Sequence, residues 1–219
     1  IFFTLAMLFI FRLGAHIPTP GIDGAALTAF FDAQQGSILR FFDMFTGGAL
    51  ARLTVFALGV MPYISASIII QLLTAVFPYL ERLSKEGDAG RKKITSYTRY
   101  GTIVLSVVQG FAIAVGLESM AAPNGQPIVI STLSPWAFRA LTVITLTAGT
   151  AFLMWVGEQI SERGIGNGIS LLIFAGIVVG IPGAIINSVR LVQDNVLSPL
   201  VLAVVGILMI VVVFLVIFA

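Results

Sequence analysis

The segment GEQISERGIGNGIS, residues 157–170, combines charged side chains with a glycine-rich turn, a pattern that could do chemistry. Glu158, Glu162 and Arg163 precede glycines at positions 164, 166 and 168. Glycine-rich loops can bind phosphate through backbone N–H groups, but this spacing is not G-x-G-x-x-G, no strand precedes it and no Walker lysine follows. We therefore interpret the segment as a glycine-capped helix end, a tight turn and a new helix, for which Asn167 is the favoured cap.

Cysteine and histidine, which often serve as metal ligands or in nucleophilic catalysis, are nearly missing from the chain. It contains no cysteine and one histidine, His16. This composition excludes disulfides, thiolate metal sites, thiol nucleophiles and cysteine-linked lipid anchors, and one histidine cannot form a histidine cluster. We predict that the protein uses no cofactor and no metal and is not an enzyme. An intramembrane protease is also disfavoured, because no membrane-embedded pair of aspartates is available.

The composition is typical of an integral membrane protein. Of 219 residues, 58% are hydrophobic and 10% charged, and the mean hydropathy is +1.06, which leaves too little polar surface for a soluble domain. Both ends lie in apolar runs, which suggests a fragment. No run alternates as a barrel strand does, so we predict an all-α, polytopic transmembrane helical bundle. Six runs approach the roughly 20 apolar residues of a membrane span: 1–17, 53–80, 100–117, 136–157, 168–189 and 196–219.

The second apolar run is interrupted near its start. It carries no charge from Leu53 to Leu80 but contains Gly59 and Pro62, and proline removes a helical hydrogen bond. We predict a separate half-helix over about 42–58 and a crossing from near Val60 to about Phe77, with a harmless kink as the alternative. One face of this crossing either lines a cavity or packs against neighbouring helices, and packing is favoured. The residues concerned are Val60, Ile64, Ser65, Ser67, Ile68 and Gln71.

The basic residues predict the orientation. Half of the twelve lie between the second and third spans, so we expect the 82–99 loop to be cytoplasmic and the connections 18–52, 118–135 and 190–195 to lie outside. The 18–52 connection reads as an extended turn followed by short amphipathic pieces. It forms either an interfacial helix or a re-entrant piece within the bundle. The loop's basic residues are Arg82, Lys85, Arg91, Lys92, Lys93 and Arg99.

Five motifs in order resemble the SecY family: PTPGID, FTGGAL, MPYISASIIIQLL, EGDAGRKKITSYTRYG and GEQISERGIGNGIS. The resemblance covers essentially the whole chain and implies a SecY-type inverted-repeat channel in the bacterial inner membrane. It divides the chain into residues 1–189, the N-terminal half with five transmembrane helices, and 190–219, the sixth helix. It also implies passage of unfolded secretory polypeptides and lateral release of transmembrane segments into lipid.

The same resemblance implies three groups of site residues. An apolar pore ring maps onto Val60, Ile64, Ile169 and Ile173, although family members usually carry isoleucine at the first of these positions. A plug maps onto about 41–52, including Phe41, Phe42, Phe45, Gly47, Gly48 and Arg52. A lateral gate maps onto Ile64, Ser65, Ile68, Gln71 and Gln109. Asn167, if it does not cap a helix, would face the pore.

The partners also follow from the resemblance. The family implies SecE and SecG subunits, with the SecA ATPase or a ribosome at the cytoplasmic face, and signal sequences, unfolded chains and lipid as contacts. No nucleic-acid binding is expected apart from ribosomal contact. The basic 82–99 loop is predicted to contribute to docking, or to reflect only the positive-inside rule. The rival function is a secondary transporter with interrupted helices, which the lack of ionisable residues in 53–80 and 164–189 disfavours.

Overall fold

The computed structural model describes residues 1–33, 38–120, 125, 127–130, 134–194 and 198–218, and the side chains of 38–41 lie outside that description. The regular structure in these ranges is helical, with isolated β-bridges from Pro18 to Thr54 and from Ile22 to Val129. The all-α prediction is confirmed. The helices are α1 (Phe2–Gly14), α2 (Gly24–Ala33), α3 (Ile38–Phe45), α4 (Met61–Val76), α5 (Pro78–Lys85), α6 (Asp88–Ser119), α7 (Pro135–Arg163), α8 (Gly168–Gln193) and α9 (Pro199–Phe218).

The chain divides into two compact units, Ile1–Ile177 and Val178–Ala219. The boundary lies within α8. In the second unit, α9 has no buried residue among those described. Every side chain discussed below as part of a site belongs to the first unit.

Most of the predicted membrane spans are confirmed. Four of the described helices, α6 to α9, are long and apolar enough to cross a membrane, and α4 with α5 adds a fifth if this pair, bent by 101°, is one span. The prediction for 1–17 differs from the structure at its C-terminal end, because α1 ends at Gly14. Pro18 and Pro20 follow soon after, and proline cannot continue a helix.

The interruption of the second apolar run is also confirmed. α4 begins at Met61 and carries Pro62 in its first turn, where the missing N–H has no helical partner to lose. The helix ends at Val76, and Pro78 begins α5 in a new direction. The crossing predicted from near Val60 to Phe77 therefore matches α4 closely.

The half-helix predicted over 42–58 is wrong. α3 ends at Phe45, and the chain then makes turns until α4 begins. Gly47, Gly48 and Gly59 adopt φ values of 68°, 82° and 56°. These left-handed conformations suit glycine and interrupt a right-handed helix.

The 82–99 loop is also a wrong prediction, because this stretch is largely helical. α5 ends at Lys85 and α6 begins at Asp88, so only two residues separate the helices. Gly87 turns the chain with a φ of 74°. Gly90 permits the close return of α6, because a Cβ there would lie 1.7 Å from the carbonyl oxygen of Leu83. Most of the predicted loop charges therefore project from two helices.

α6 and α7 form the main wall of the first unit. The buried face of α6 consists of small residues about four positions apart, Thr98, Thr102, Ser106, Gly110 and Ala114, which let a neighbouring helix approach closely. At Gly110, a Cβ would lie 3.5 Å from the Cα of Val143 on α7. The two helices run antiparallel, and an ion pair joins them near each end, as described below.

The turns between α3 and α4 pack against this wall and against α1. The ring of Phe56 stacks on Phe11 of α1 and on Phe152 of α7, with centroids 6.1 and 6.0 Å apart. On α7, a Cβ at Gly149 would lie only 1.9 Å from the carbonyl oxygen of Val55. The backbone of the turn region therefore rests directly on the surface of α7.

Candidate functional site

A cavity of about 510 Å³ opens among α4, α6, α7 and α8. Isoleucines and polar side chains both contribute to its wall, so the cavity is neither a purely apolar pocket nor a charged one. Among the described residues, no group of three or more His, Asp or Glu side chains could hold a metal ion. The lining residues are Tyr63, Ile64, Ser67, Ile68, Thr95, Arg99, Glu158, Ser161, Glu162, Asn167, Ile169, Ser170 and Ile173.

An ion pair occupies the polar part of the cavity. Arg99 of α6 and Glu158 of α7 meet with Nη2–Oε2 and Nε–Oε1 distances of 2.8 Å each. The Arg99 side chain is 46% exposed and that of Glu158 is 15% exposed. Arg99 was predicted to face a cytoplasmic partner, but a large part of its hydrogen-bonding capacity is taken by Glu158.

The four predicted pore-ring residues fall in one hydrophobic cluster. Val60 is buried within it, and Ile64, Ile169 and Ile173 pack against it while also lining the cavity. Asn167 lies at the start of α8, whereas Ile173 lies more than one turn further along the same helix. In the first turn of α8, Ile169 therefore lies next to the polar Asn167 and Ser170, and Ile173 continues the aliphatic lining one turn further along.

The glycine-rich turn joins α7 to α8, as the sequence predicts. The Asn167 Oδ1 accepts a hydrogen bond from the Ser170 N–H at 3.2 Å, so Asn167 caps α8 and also lines the cavity. The Gly168 N–H donates to the Ser161 Oγ at 2.8 Å. A Cβ at Gly168 would lie 1.9 Å from the carbonyl oxygen of Gly157, so this glycine is required by close packing of the two helices.

Sequence reasoning missed the contact that fixes this turn to α1. The buried Thr4 hydroxyl oxygen accepts a hydrogen bond from the Ile165 N–H at 3.2 Å. A Cβ at Gly164 would lie 2.7 Å from the same hydroxyl. A lone threonine in an apolar helix gave no signal for this pairing, because its partner lies 161 positions away.

The predicted plug residues form a compact turn with internal hydrogen bonds. The Asp43 carboxylate accepts from the Ala51 N–H at 2.8 Å, and the Thr46 Oγ1 accepts from the Leu50 N–H at 3.3 Å. The Arg52 Nε donates to the Gly48 carbonyl at 3.2 Å. Phe42 and Phe45 are partly exposed, at 42% and 40%. The side chain of Phe41 lies outside the described part of the chain.

The predicted plug residues also contact two helices. The Arg12 Nη1 of α1 donates to the Gly47 carbonyl at 3.2 Å. On α8, a Cβ at Gly176 would lie 2.7 Å from the carbonyl oxygen of Phe45. Sequence reasoning missed Arg12 as a contact of this segment, although an arginine in a strongly apolar helix was a signal that could have found it.

The predicted lateral-gate residues lie in two settings. Ile64 and Ile68 line the cavity, and Ile68 is 51% exposed. Gln71 is exposed and donates to the Ser67 hydroxyl at 3.3 Å. Ser65 on α4 and Gln109 on α6 are partly buried, but neither lines the cavity.

The basic residues near the α5–α6 turn differ in their partners. Lys85 pairs with Glu81 at 2.6 Å within α5, and this hydrogen bond holds the pKa of the Glu81 carboxyl below its usual value. Arg99 pairs with Glu158. The remaining side chains are exposed: Arg82, Arg91, Lys92 and Lys93.

Comparisons with known proteins show extensive similarity. A family model described as SecY matches residues 54–219. The protein translocase subunit SecY of Escherichia coli K12 is 52% identical over 216 residues, covering 99% of this chain and 48% of that protein. The Vibrio cholerae protein of the same name is 49% identical over 218 residues, covering 100% of this chain and 48% of that protein. The chain thus spans about half the length of these relatives.

Solved structures show the same architecture. A protein-conducting channel matches with a TM-score of 0.64 and 21% identity, covering 95% of this chain and 45% of that one. Sec61 in the canine ribosome–channel complex from the endoplasmic reticulum also matches with a TM-score of 0.64 and 21% identity, covering 95% and 46% of the two chains. At this level of identity, the likeness is one of fold.

Proposed function

The chain belongs to the SecY family, and from this membership we propose that the protein is the pore-forming subunit of a protein translocase. It passes unfolded secretory polypeptides across the bacterial inner membrane and releases transmembrane segments sideways into lipid. Residues 1–189 constitute the N-terminal half of the channel, and 190–219 constitute the sixth transmembrane helix. The protein acts as a conduit and carries no catalytic group of its own.

One observation carries this proposal: aliphatic side chains from two helices meet beside a cavity that also has polar walls. Ile64 of α4 and Ile169 and Ile173 of α8 line the cavity and share a hydrophobic cluster with Val60. A narrow aliphatic neck loses water readily, which restrains ions. Its contacts are non-directional, so a passing chain of any sequence can slide through without being trapped.

The segment 42–52 supplies closure in this proposal. Arg12 of α1 donates a hydrogen bond to the Gly47 carbonyl of this segment, and the backbone of the segment passes close to Gly176 of α8. α8 also carries Ile169 and Ile173. A compact turn held in this position blocks the path when no substrate is present and leaves when one enters.

Lateral release uses the exposed face of α4. Ile68 and Ile69 are 51% and 46% exposed, and Ile68 also borders the cavity. A segment in the cavity can therefore exchange contacts with α4 for contacts with lipid, which favours the transfer by about 0.3–0.6 kcal/mol for each strongly apolar residue. Ser65, Gln71 and Gln109 belong to the same proposed gate.

The partners are proposed from the family and the surface charge. SecE and SecG complete the channel, and SecA or a ribosome drives the substrate. The exposed basic side chains of α5 and the start of α6 suit an acidic or ribosomal surface, because long-range attraction speeds such docking. Arg82, Arg91, Lys92 and Lys93 contribute most, since Lys85 and Arg99 already have carboxylate partners.

Site-specific cross-linking tests the proposed path. Photoreactive probes are placed one at a time at Val60, Ile64, Ile169 and Ile173 in the full-length channel, and a stalled secretory chain is presented. We expect strong cross-links at all four positions. Val104 of α6 and Ile144 of α7 serve as controls, because they are 62% and 66% exposed and lie outside the cavity lining. Cross-links at these controls, without any at the four positions, would place the path elsewhere.

A further inference from the structure

Arg12 is the only charged residue in the sequence of α1, whose other members are mainly leucine, phenylalanine and similar apolar residues. A guanidinium in such a helix needs a polar partner, because burying an unpaired charge is costly. Its place in the last turn of α1 is favourable for a cation, since the helix dipole is negative there. The dipole alone does not account for a contact with a residue 35 positions away.

That contact joins Arg12 to the 42–52 segment. The Nη1 of Arg12 donates to the carbonyl oxygen of Gly47 at 3.2 Å. A Cβ added at Gly47 would lie 3.7 Å from the same nitrogen, so the arginine head lies directly against the Gly47–Gly48 turn. Both glycines have positive φ, which aims the Gly47 carbonyl in a direction that an α-helix would not allow.

The 42–52 segment has its own internal hydrogen bonds, and its buried residues Ala49 and Ala51 pack in the two hydrophobic clusters. The hydrogen bonds from Ala51 to Asp43, from Leu50 to Thr46 and from Arg52 to Gly48 all lie within it. They travel with the segment if it moves. The bond from Arg12, by contrast, crosses from α1 to the segment and must break.

The contact with α8 is of a different kind. At Gly176, a Cβ would lie 2.7 Å from the Phe45 carbonyl oxygen, and a Cβ at Gly47 would lie 3.2 Å from the Gly176 Cα. This is a backbone-to-backbone contact permitted by two glycines. It allows the segment to pack closely against α8, whereas the Arg12 guanidinium supplies a directional, charge-assisted hydrogen bond to the segment.

We propose that Arg12 is a positioning residue that holds the 42–52 segment in its closed place, an inference that rests on the proposed function of this segment as a plug. The partner of Arg12 is a backbone carbonyl, so release of the guanidinium from Gly47 breaks a charge-assisted hydrogen bond rather than an ion pair. The freed guanidinium can bind another backbone carbonyl, including one of a passing polypeptide, and every substrate sequence offers such a group.

The test compares variants of the full-length channel in lipid. Arg12→Met keeps the aliphatic stem and removes the hydrogen bond, and Arg12→Lys restores a cationic donor. Arg190→Met is the matched control, because Arg190 is also the basic residue in the last turn of an apolar helix, is exposed and has no proposed role. Ion conductance without substrate is recorded for each. We expect a rise of about tenfold in the conducting fraction for Arg12→Met, a smaller rise for Arg12→Lys and little change for Arg190→Met.

A second readout separates release of the segment from general loosening. Ala49 and Ala114 are both fully buried, and the 219 residues contain no natural cysteine, so only cysteines in the rest of the full-length channel need to be replaced before labelling. With Ala49→Cys as reporter, Arg12→Met should accelerate thiol labelling about tenfold. With Ala114→Cys in α6 as reporter, the rate should not change. Equal acceleration at both positions would mean that Arg12 is merely structural and would overturn the proposal.

Deletion of residues 42–52 distinguishes the two hypotheses. If the deletion raises the conductance but Arg12→Met changes neither conductance nor labelling at position 49, the segment is a plug and Arg12 does not hold it. If the deletion leaves the conductance unchanged, the segment does not close the channel and the proposed function of this segment fails. If both the deletion and Arg12→Met raise the conductance, and Arg12→Met accelerates labelling at position 49 but not at position 114, the result supports Arg12 as the residue that holds the segment.

Discussion

The α6–α7 wall and the turn region between α3 and α4 are built in opposite ways. The wall consists of two long helices with closely packed small residues, joined by ion pairs between Arg99 and Glu158 and between Glu118 and Arg139. The turn region uses positive-φ glycines and short-range hydrogen bonds. A wall of long helices resists deformation, whereas a turn held mainly by local hydrogen bonds can open at a lower free energy. This difference fits the proposed function, in which a fixed frame carries a removable closure.

The largest expected effect comes from Gly149→Ala, where the two regions touch. The added Cβ would lie 1.9 Å from the Val55 carbonyl oxygen. The clash is with backbone atoms, so it can be relieved only by a shift of the helix or of the turn. We expect a loss of about 1–3 kcal/mol in the free energy of unfolding, measured by denaturant titration of the protein in detergent micelles.

Gly116→Ala is the matched control for this change, because a Cβ there meets no atom within 4 Å. Alanine favours a helix over glycine by up to about 1 kcal/mol, so the control should be neutral or stabilising. Equal destabilisation by the two changes would mean that the turn region does not rest on α7 as described.

A smaller effect is expected from Gly48→Ala within the turn region. Its φ of 82° disfavours alanine by about 1–2 kcal/mol, and the new Cβ would lie 3.0 Å from the Arg52 Nη2. If the segment is an independent unit, the strain should appear as faster thiol labelling at Ala49→Cys. The unfolding midpoint of the whole protein should change little; a large fall in that midpoint would contradict the distinction between wall and turn.

The ion pair in the cavity should contribute about 1 kcal/mol or less, because Arg99 is nearly half exposed and solvent weakens the interaction. Glu158→Gln is therefore expected to lower the free energy of unfolding by that amount. A double-mutant cycle with Arg99→Met measures the coupling. A coupling energy near zero would mean that the wall is joined at this end by helix packing alone.

The smallest effect is expected from Lys85→Met on α5, which lies outside both regions. Lys85 lowers the pKa of the exposed Glu81 carboxyl, so the pair's stabilising effect is present above the unfolded-state pKa of Glu81 and is lost as pH falls through the lower folded-state pKa. Because both side chains are more than half exposed, solvent weakens this effect, and we expect the thermal midpoint of Lys85→Met to match that of the parent protein at neutral pH. A clear fall would assign α5 to the rigid frame.

Several features of the fold could be predicted because they depend on local sequence. The long apolar runs predicted α6 to α9, and Pro62 predicted the beginning of α4. The half-helix over 42–58 could not be excluded from its composition, because Phe, Leu and Ala in this stretch are compatible with a helix. The outcome depended on φ angles at Gly47, Gly48 and Gly59, which glycine permits but does not require.

The candidate site was predictable in part. Helical spacing placed Val60 and Ile64 together on α4, and Ile169 and Ile173 together on α8. No sequence pattern indicates that the first pair and the second pair share one hydrophobic cluster. The family resemblance supplied that association. Sequence reasoning treated Arg99 as a free surface charge, because Glu158 lies 59 positions away and only the antiparallel packing of α6 and α7 brings the two together.

The sequence by itself determined that this chain is an all-helical membrane protein of the SecY family with a broken second span. These properties follow from hydropathy, proline and glycine positions and motifs, each of which acts within a few residues. Tertiary structure alone decided which distant groups meet: Arg12 with Gly47, Thr4 with Ile165, and Phe45 with Gly176. Such contacts depend on how helices cross and approach, and a local pattern carries no information about the partner on the other side.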